Sequence, residues 1–269
     1  MLVTGADSGF GLATVLRLAE LGFDTVGLVR PDPADVAALG HAAADRRVAV
    51  RIVEADLADP GQRGRAVDGL DVWALVNNAG FMNAGRLRDV PLEDGRRQLE
   101  VMVVAPLDLT RRLLPGMQAR GAGRIVNVTT AAVHTSTPLT GWYAASKAAL
   151  RELNDALRVE LRGTGVTVTD VEPGGHRTGI WAGAAHELGE RRARAAGGLY
   201  DRVVGRLDRY YALMASPDRV ADAVVGALLA EHAPRHRRVG PDATVMRLAA
   251  ELLPDAVWDP LVSRLAEAM

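Results

Sequence analysis

Leu2-Val3-Thr4-Gly5-Ala6-Asp7-Ser8-Gly9-Phe10-Gly11 is a short apolar run that ends in three glycines, and Leu12, Val15, Leu16 and Ala19 follow it at helical spacing. Those apolar positions share one helical face, and Gly22 supplies the stop. Strand, glycine turn and helix in that order form a phosphate cradle. Glycine lets the backbone turn tightly and approach a ligand with no Cβ in the way. The helix N-terminus behind it offers free N–H groups and a positive dipole end. A glycine triplet alone also occurs in ordinary turns, and the flanking strand and helix supply the context that the nucleotide reading requires. The spacing, Gly-x3-Gly-x-Gly, differs from the fingerprint of the larger dehydrogenases.

Outward from this stretch, short strand-like runs alternate with helical patterns. The expected strands are Leu2–Thr4, Thr25–Val29, Val48–Val53, Ala74–Asn77, Arg124–Val128, Val166–Val171 and Arg237–Val239. Leu107–Arg120 and Tyr143–Leu161 read as helices, the second with Leu150, Leu153, Leu157 and Leu161 in one stripe. Such alternation predicts parallel strands joined by crossover helices. The strands are mostly apolar without alternation, as expected of a sheet covered on both faces. The expected fold is therefore α/β: a single doubly wound Rossmann-type domain over residues 1–269, with a seven-stranded parallel sheet and helices on both faces. Ligands of such a fold bind at the carboxyl ends of the strands. The rhythm is interrupted from Gly179 to about Ala215, where Trp181, Leu188, Leu199, Tyr200, Tyr210 and Tyr211 accompany Arg191, Arg192 and Arg194. The segment reads as a substrate lid or as a peripheral helical pair packed on its own apolar residues.

Composition narrows the function. The 269 residues carry 32 Lys+Arg against 33 Asp+Glu, a formal charge of -1 that gives no general attraction to nucleic acid or anionic membrane. With no cysteine, disulfides, thiolate metal sites and cysteine nucleophiles are all excluded. The N-terminus lacks the basic and apolar regions of a signal peptide, and no apolar run could span a bilayer, so a cytoplasmic protein is expected. Met1 already borders the first strand, which points either to missing upstream residues or to an unusually tight natural start. His232 and His236 flank Pro234 with no acidic cluster to complete a site, so no metal is expected. Ser8 and Ser146 lack a nucleophile-elbow setting.

Tyr143-Ala-Ala-Ser-Lys147 places a phenol and an ammonium one helical turn apart on one face. Tyrosine, with a pKa near about 10, is a poor base at neutrality, and a nearby cation favours the phenolate. The pair can then act as acid or base on an alcohol or ketone. By itself the spacing also fits a solvated helix face.

Taken together, the glycine loop, Asn77-Asn78-Ala79-Gly80, Tyr143-x3-Lys147 and Pro173-Gly174 occur in one order and at consistent spacing. In this the chain resembles the classical short-chain dehydrogenase/reductase family from Leu2 to Arg237-Arg238-Val239-Gly240. Asp7-Ser8-Gly9-Phe10-Gly11 is similar to the variant in retinol and hydroxysteroid dehydrogenases. The resemblance implies that Gly5, Ser8, Gly9, Phe10 and Gly11 line the pyrophosphate and nearby ribose, and that Asp56 and Leu57 flank the adenine. It implies that Asn77, Ala79 and Gly80 wall the adenine-side ribose, with a strand-end cap as the alternative role of Asn77. Tyr143 and Lys147 would also hold the nicotinamide ribose, and Pro173, Gly174 and Thr178 would contact the nicotinamide end. A homodimer or homotetramer built on the two helices named above is likewise expected from the resemblance.

Cofactor preference is expected at the end of the second strand. The family's NAD users resemble one another in an acidic residue that here is Val29, followed by Arg30. A guanidinium there pairs with a 2′-phosphate, which favours NADP(H), while Asp32 nearby leaves room for NAD. Two positions depart from the family. Its serine is replaced by Thr130, which keeps the hydroxyl, with Thr129 as the alternative. Its helix-borne asparagine, part of a proton relay, is replaced by Met102, whose thioether cannot donate. The relay is then rebuilt, slowed or unused. His134 and His176 are expected near the pocket as substrate contacts or loop caps, and Trp181 as a further substrate contact.

The expected activity is NADP(H)-dependent interconversion of a ketone and a secondary alcohol, with a bulky apolar substrate suggested by Trp181 and Tyr200. Thr130, Tyr143 and Lys147 are the expected catalytic residues. The alternatives are a non-redox isomerase, dehydratase or cyclase, motivated by Met102, and a nucleotide-sensing protein without turnover.

Overall fold

The computed structural model describes residues 1–135, 137–194, 198–205 and 211–268, with the side chains of residues 194, 255, 259 and 265–268 left aside. Tyr210 of the 179–215 segment lies outside the described residues. Seven strands form one parallel sheet in the order β3-β2-β1-β4-β5-β6-β7. They are β1 (Leu2–Thr4), β2 (Val26–Val29), β3 (Arg51–Glu54), β4 (Ala74–Asn77), β5 (Gly123–Val128), β6 (Val166–Pro173) and β7 (His236–Val239). The third strand starts three residues later than its sequence pattern suggests. Arg47 takes φ +55 at the end of the preceding helix, and the Val48 N–H donates back to Ala43 O. That closing turn uses the amide that would have entered the ladder.

The helices are α1 (Gly9–Glu20), α2 (Pro33–Asp45), α3 (Pro60–Val67), α4 (Leu92–Leu99), α5 (Ala105–Ala119) and α6 (Gly141–Glu160). After β6 come α7 (Gly179–Arg194), α8 (Gly198–Val204), α9 (Asp218–Leu229), α10 (Pro241–Leu252) and α11 (Asp255–Ala268). Local chemistry sets several starts. Asp32 accepts from Ala34 N, and Asp59 accepts from Gly61 N and Gln62 N; each is followed by a proline, which needs no N–H partner. No helix among the described residues is long and apolar enough to cross a membrane.

Alternate strand residues build two cores. Val3, Val76 and Val126 pack with Val15 and Leu18 of α1 and Val224 and Leu228 of α9. Leu2, Leu75 and Ile125 face the other way, toward Leu109 and Met117 of α5 and Leu161. This two-residue period buries both faces of the sheet. The inward stripe of α6 differs from the expected leucine row. Leu153 is exposed, and Asn154 is buried in its place. The reason is polar: Asn77 donates to Asn127 Oδ1 at 2.7 Å, Asn127 donates to Asn154 Oδ1 at 2.8 Å, and Asn154 donates to Asp170.

On the same face, Arg63 of α3 is almost wholly buried, with Nη1 2.6 Å from Glu100 and Nε 3.1 Å from Asp108, while Nη1 also donates to Leu57 O at 2.5 Å. It thus joins the turn after β3 to Glu100–Val104, a single π-helical turn between α4 and α5. Arg63→Ala strands two carboxylates around a cavity and is expected to cost about 3–5 kcal/mol. Denaturant unfolding would show this as a lower midpoint at unchanged slope.

Candidate active site

The strand order reverses between β1 and β4, which leaves a crevice at their carboxyl ends. A cavity of about 480 Å³ opens there, within the usual range for small-molecule sites. Its floor is the glycine loop. Gly5 and Gly9 adopt φ +63 and +53, in the left-handed region that favours glycine. At Gly11 the constraint is space: a Cβ would lie 2.0 Å from Gly5 O. Asn78 fastens the loop, with Nδ2 donating to Thr4 O at 2.9 Å and Gly5 O at 3.1 Å. The Thr4 hydroxyl accepts from Asn78 N and Ala79 N, so the β1 and β4 ends are tied together. Backbone this close to the start of α1 leaves the shape and the N–H groups that a pyrophosphate needs, and the residues fit a dinucleotide.

The expected nucleotide residues divide by position. Gly5, Ser8, Gly9 and Phe10 line the cavity, as do Ala79 and Gly80. Arg30, Asp56, Leu57 and Thr178 stand on its wall too. Gly11 and Asn77 lie behind it, Gly11 as close packing and Asn77 in the buried amide row. Pro173 and Gly174 also stand behind the lining, in the turn that leads to Thr178. Asp56 and Leu57 stand just past the end of β3. The Arg30 guanidinium is held by Asp35, with Nε 2.7 Å from Oδ2 and Nη2 3.2 Å from Oδ1, so Nη1 is the nitrogen outside that fork.

At the other end Tyr143 and Lys147 line the cavity. Lys147 is buried and its Nζ donates to Val128 O at 2.6 Å. Burial pushes its pKa down to about 8. Burial likewise pushes the Tyr143 phenol up to about 12, with a hydrogen bond to Thr130 opposing the rise. The sequence reading expected the lysine to lower the tyrosine pKa; in this fold desolvation dominates, and the phenol is held protonated at neutrality. Of the two threonines, Thr129 lines the cavity but donates its hydroxyl to Val171 O at 3.1 Å. Thr130 stands behind the lining, its hydroxyl accepting from Ala132 N at 3.2 Å and beside the Tyr143 phenol.

Three expected substrate contacts fall outside the lining. His134 points at Glu172, with Nε2 3.6 Å from the carboxylate. His176 is buried, its Nδ1 3.1 Å from Gly174 O and its ring edge-on to Phe10. Trp181 is half-buried beside Ile180, and Ile180 is the residue that reaches the cavity. Tyr200 is fully buried in a third apolar cluster with Met82, Leu139, Ala184 and Leu188. Sequence reasoning missed Arg97, whose Nη2 lies 2.9 Å from Asp56 at the cavity rim, and Gly183 and Glu187 on the inward face of α7. The i, i+4 row Gly179, Gly183, Glu187 was the available signal. Met102 is fully buried, and a Cβ on Gly80 would lie 3.5 Å from its sulfur; it packs the back of the wall as an apolar filler.

Beneath α6, burial pushes Asp170 up to about 7 despite its bonds to Asn154 and Arg158. Its folded pKa lies above the unfolded value, so the folded protein binds the extra proton between about pH 4 and 7 and loses stability as pH rises through that window. Asp170→Asn is expected to flatten that part of the stability profile, measured by thermal unfolding from pH 4.5 to 7.5.

A crevice at the sheet's switch point, glycine-floored at one end and carrying a buried Tyr–Lys pair at the other, defines an NAD(P)-dependent dehydrogenase or reductase. Residues 1–189 match the short chain dehydrogenase family, and the chain belongs to it. It is 28% identical to the NADPH-dependent 3-dehydrocapnine reductase of Ornithobacterium rhinotracheale over 97% of this chain and 94% of that one. Among solved structures it is similar to a short-chain dehydrogenase from Sphingobium yanoikuyae in complex with NADPH, at 26% identity and TM-score 0.69, covering 98% and 92% of the two chains. It is also similar to one from Burkholderia phymatum in complex with NAD, at 25% identity and TM-score 0.78, covering 96% and 94%.

Proposed function

We propose that the protein reduces a ketone to a secondary alcohol with NADPH. The observation that carries this is geometric: the Tyr143 side chain stands on the cavity wall across from the glycine floor, with Thr130 beside it and Lys147 one turn on. When bound, the nicotinamide supplies the hydride. Tyr143 gives its proton to the oxygen that becomes the alcohol, and Thr130 orients that oxygen by a hydrogen bond. Lys147, an ammonium below about pH 8, steadies the phenolate that Tyr143 becomes and holds the nicotinamide ribose. Gly5, Ser8, Gly9 and Phe10 carry the pyrophosphate, with Gly11 packed behind them; Asp56 and Leu57 hold the adenine. Ala79 and Gly80 wall the ribose in front of the buried Asn77, and Thr178 receives the nicotinamide at the end of the turn that Pro173 and Gly174 begin.

The substrate is mostly apolar: Phe81, Met82 and Ile180 stand on the wall, and Gly179 and Gly183 leave space beside them. The 179–215 segment acts as its lid. Exposed Leu153 and Val159 on α6 support a homodimer or homotetramer packed on α5 and α6. Tyr143→Phe is expected to retain NADPH binding while reductive turnover falls on the order of 10²–10⁴-fold. Full activity in that variant, measured by NADPH consumption with a ketone panel, would remove the mechanism.

NADP(H) is preferred because Val29 offers no carboxylate to repel a 2′-phosphate and Arg30 offers a guanidinium beside it. The similar NADPH-dependent reductase and the similar dehydrogenase in complex with NADPH support this. Asp35, Asp32 and Asp7 surround Arg30 and temper the preference, so NADH serves as the second nucleotide. Fluorescence titration is expected to show tighter NADPH than NADH binding, with Arg30→Ala weakening NADPH about tenfold and leaving NADH unchanged. Tighter NADH binding by the parent protein would overturn this preference.

A further inference from the structure

Asp242 lies in the first turn of α10, behind the cavity wall, and the reaction above makes no use of it. Its Oδ2 accepts a hydrogen bond from Gly175 N–H at 2.6 Å, a short contact of the charge-assisted kind. Two glycines make room for the carboxylate. A Cβ on Gly174 would stand 2.1 Å from Asp242 Oδ2, and one on Gly240 would stand 2.3 Å from Oδ1. Gly240 also takes φ +102, so both space and backbone conformation demand glycine there. The two strand ends are paired at the same point, where Gly174 N donates to Val239 O at 2.9 Å.

From this anchor the chain runs only a few residues to the cavity. His176 Nδ1 lies 3.1 Å from Gly174 O, and its ring meets Phe10 edge-on at 5.8 Å between centroids. Thr178 reaches the wall, and its methyl lies 3.3 Å from where a Cβ on Gly9 would be. The turn is thus held at its start by Asp242 and at its end by the glycine loop.

We propose that Asp242 is a positioning residue: by fixing Gly174 and Gly175 it sets where Thr178 meets the nicotinamide half of the cofactor. This rests on the assignment of Thr178 to that half. An acid in a helix's first turn also stabilises the helix, which is the merely structural role to be distinguished. A structural role would lower stability and weaken every piece of the cofactor alike. A positioning role weakens only pieces that contain the nicotinamide.

The test compares Asp242→Ala and Asp242→Asn with the parent by calorimetric titration of two probes, NADPH and 2′-phospho-ADP-ribose, which lacks the nicotinamide. Asp242→Ala is expected to weaken NADPH about tenfold, the loss of one charged hydrogen bond, and to leave 2′-phospho-ADP-ribose within about twofold. Asp242→Asn, which keeps an acceptor oxygen for Gly175 N–H, is expected to recover most of the NADPH affinity. Equal weakening of both probes, or unchanged NADPH binding, would overturn the proposal. A parent protein that bound 2′-phospho-ADP-ribose and NADPH equally well would instead refute the assignment of Thr178 to the nicotinamide. If Asp242→Ala does not fold, Asp242→Asn decides alone: a loss confined to NADPH supports the role, and no loss or a loss for both probes refutes it.

Discussion

Glu172 is wholly buried near the carboxyl end of β6, and basic side chains from three other segments close on it. His236 and Arg238 of β7 stand 3.1 and 3.2 Å away, Arg151 of α6 at 3.5 Å and His134, just past Thr130, at 3.6 Å. Burial opposes ionisation of this carboxyl. The basic side chains of His134, His236 and Arg151 beside it outweigh that cost and leave the pKa below the ordinary value. A carboxylate placed so deep is tolerable only while these partners remain in place. The segments it gathers are those that carry Thr130, Lys147 and the Pro173-Gly174 turn, so the geometry of the site depends on it.

The rest of the site follows from the sheet. Parallel pairing with a reversal of order between β1 and β4 leaves a crevice there, and the Thr4–Asn78 bonds tie its two sides. Polar residues that a core would otherwise exclude are arranged in rows. The amides of Asn77, Asn127 and Asn154 pass hydrogen bonds from strand to strand to helix as far as Asp170. Met102 belongs to the adjoining apolar cluster and offers neither a donor nor a charge. Polar contacts beneath α6 are therefore made by the amide row and the Glu172 group.

Over the cavity, α7 and α8 are joined to the loop after β4 by specific polar bonds. Glu187 accepts from Ala84 N at 3.0 Å while Arg191 donates to Ala84 O. The Tyr200 hydroxyl donates to Asp89 at 2.8 Å and accepts from Arg86 N at 3.0 Å. This is why the aromatic side chain expected to meet substrate is spent on packing. Gly179, Ile180, Gly183 and Glu187, all of α7, are what this segment turns to the cavity, rather than Tyr200.

The sequence by itself determined the α/β class, the seven strands within a few residues, the glycine floor and the Tyr143–Lys147 pair. Each of these depends on neighbours close along the chain: a strand's period, a helix's i, i+4 face, a glycine's conformational freedom. Only the tertiary structure decided where His134 and His176 point, that Asn154 rather than Leu153 faces inward, and that Asp242 reaches the Gly174 turn. Partners tens of residues away in sequence settle these matters. The pKa of Tyr143 is of the same kind: the pattern names a cation one turn away, but the amount of water removed from the phenol is a property of the packed protein. Desolvation outweighs that local signal because the charged form loses its hydration wherever the fold closes over it.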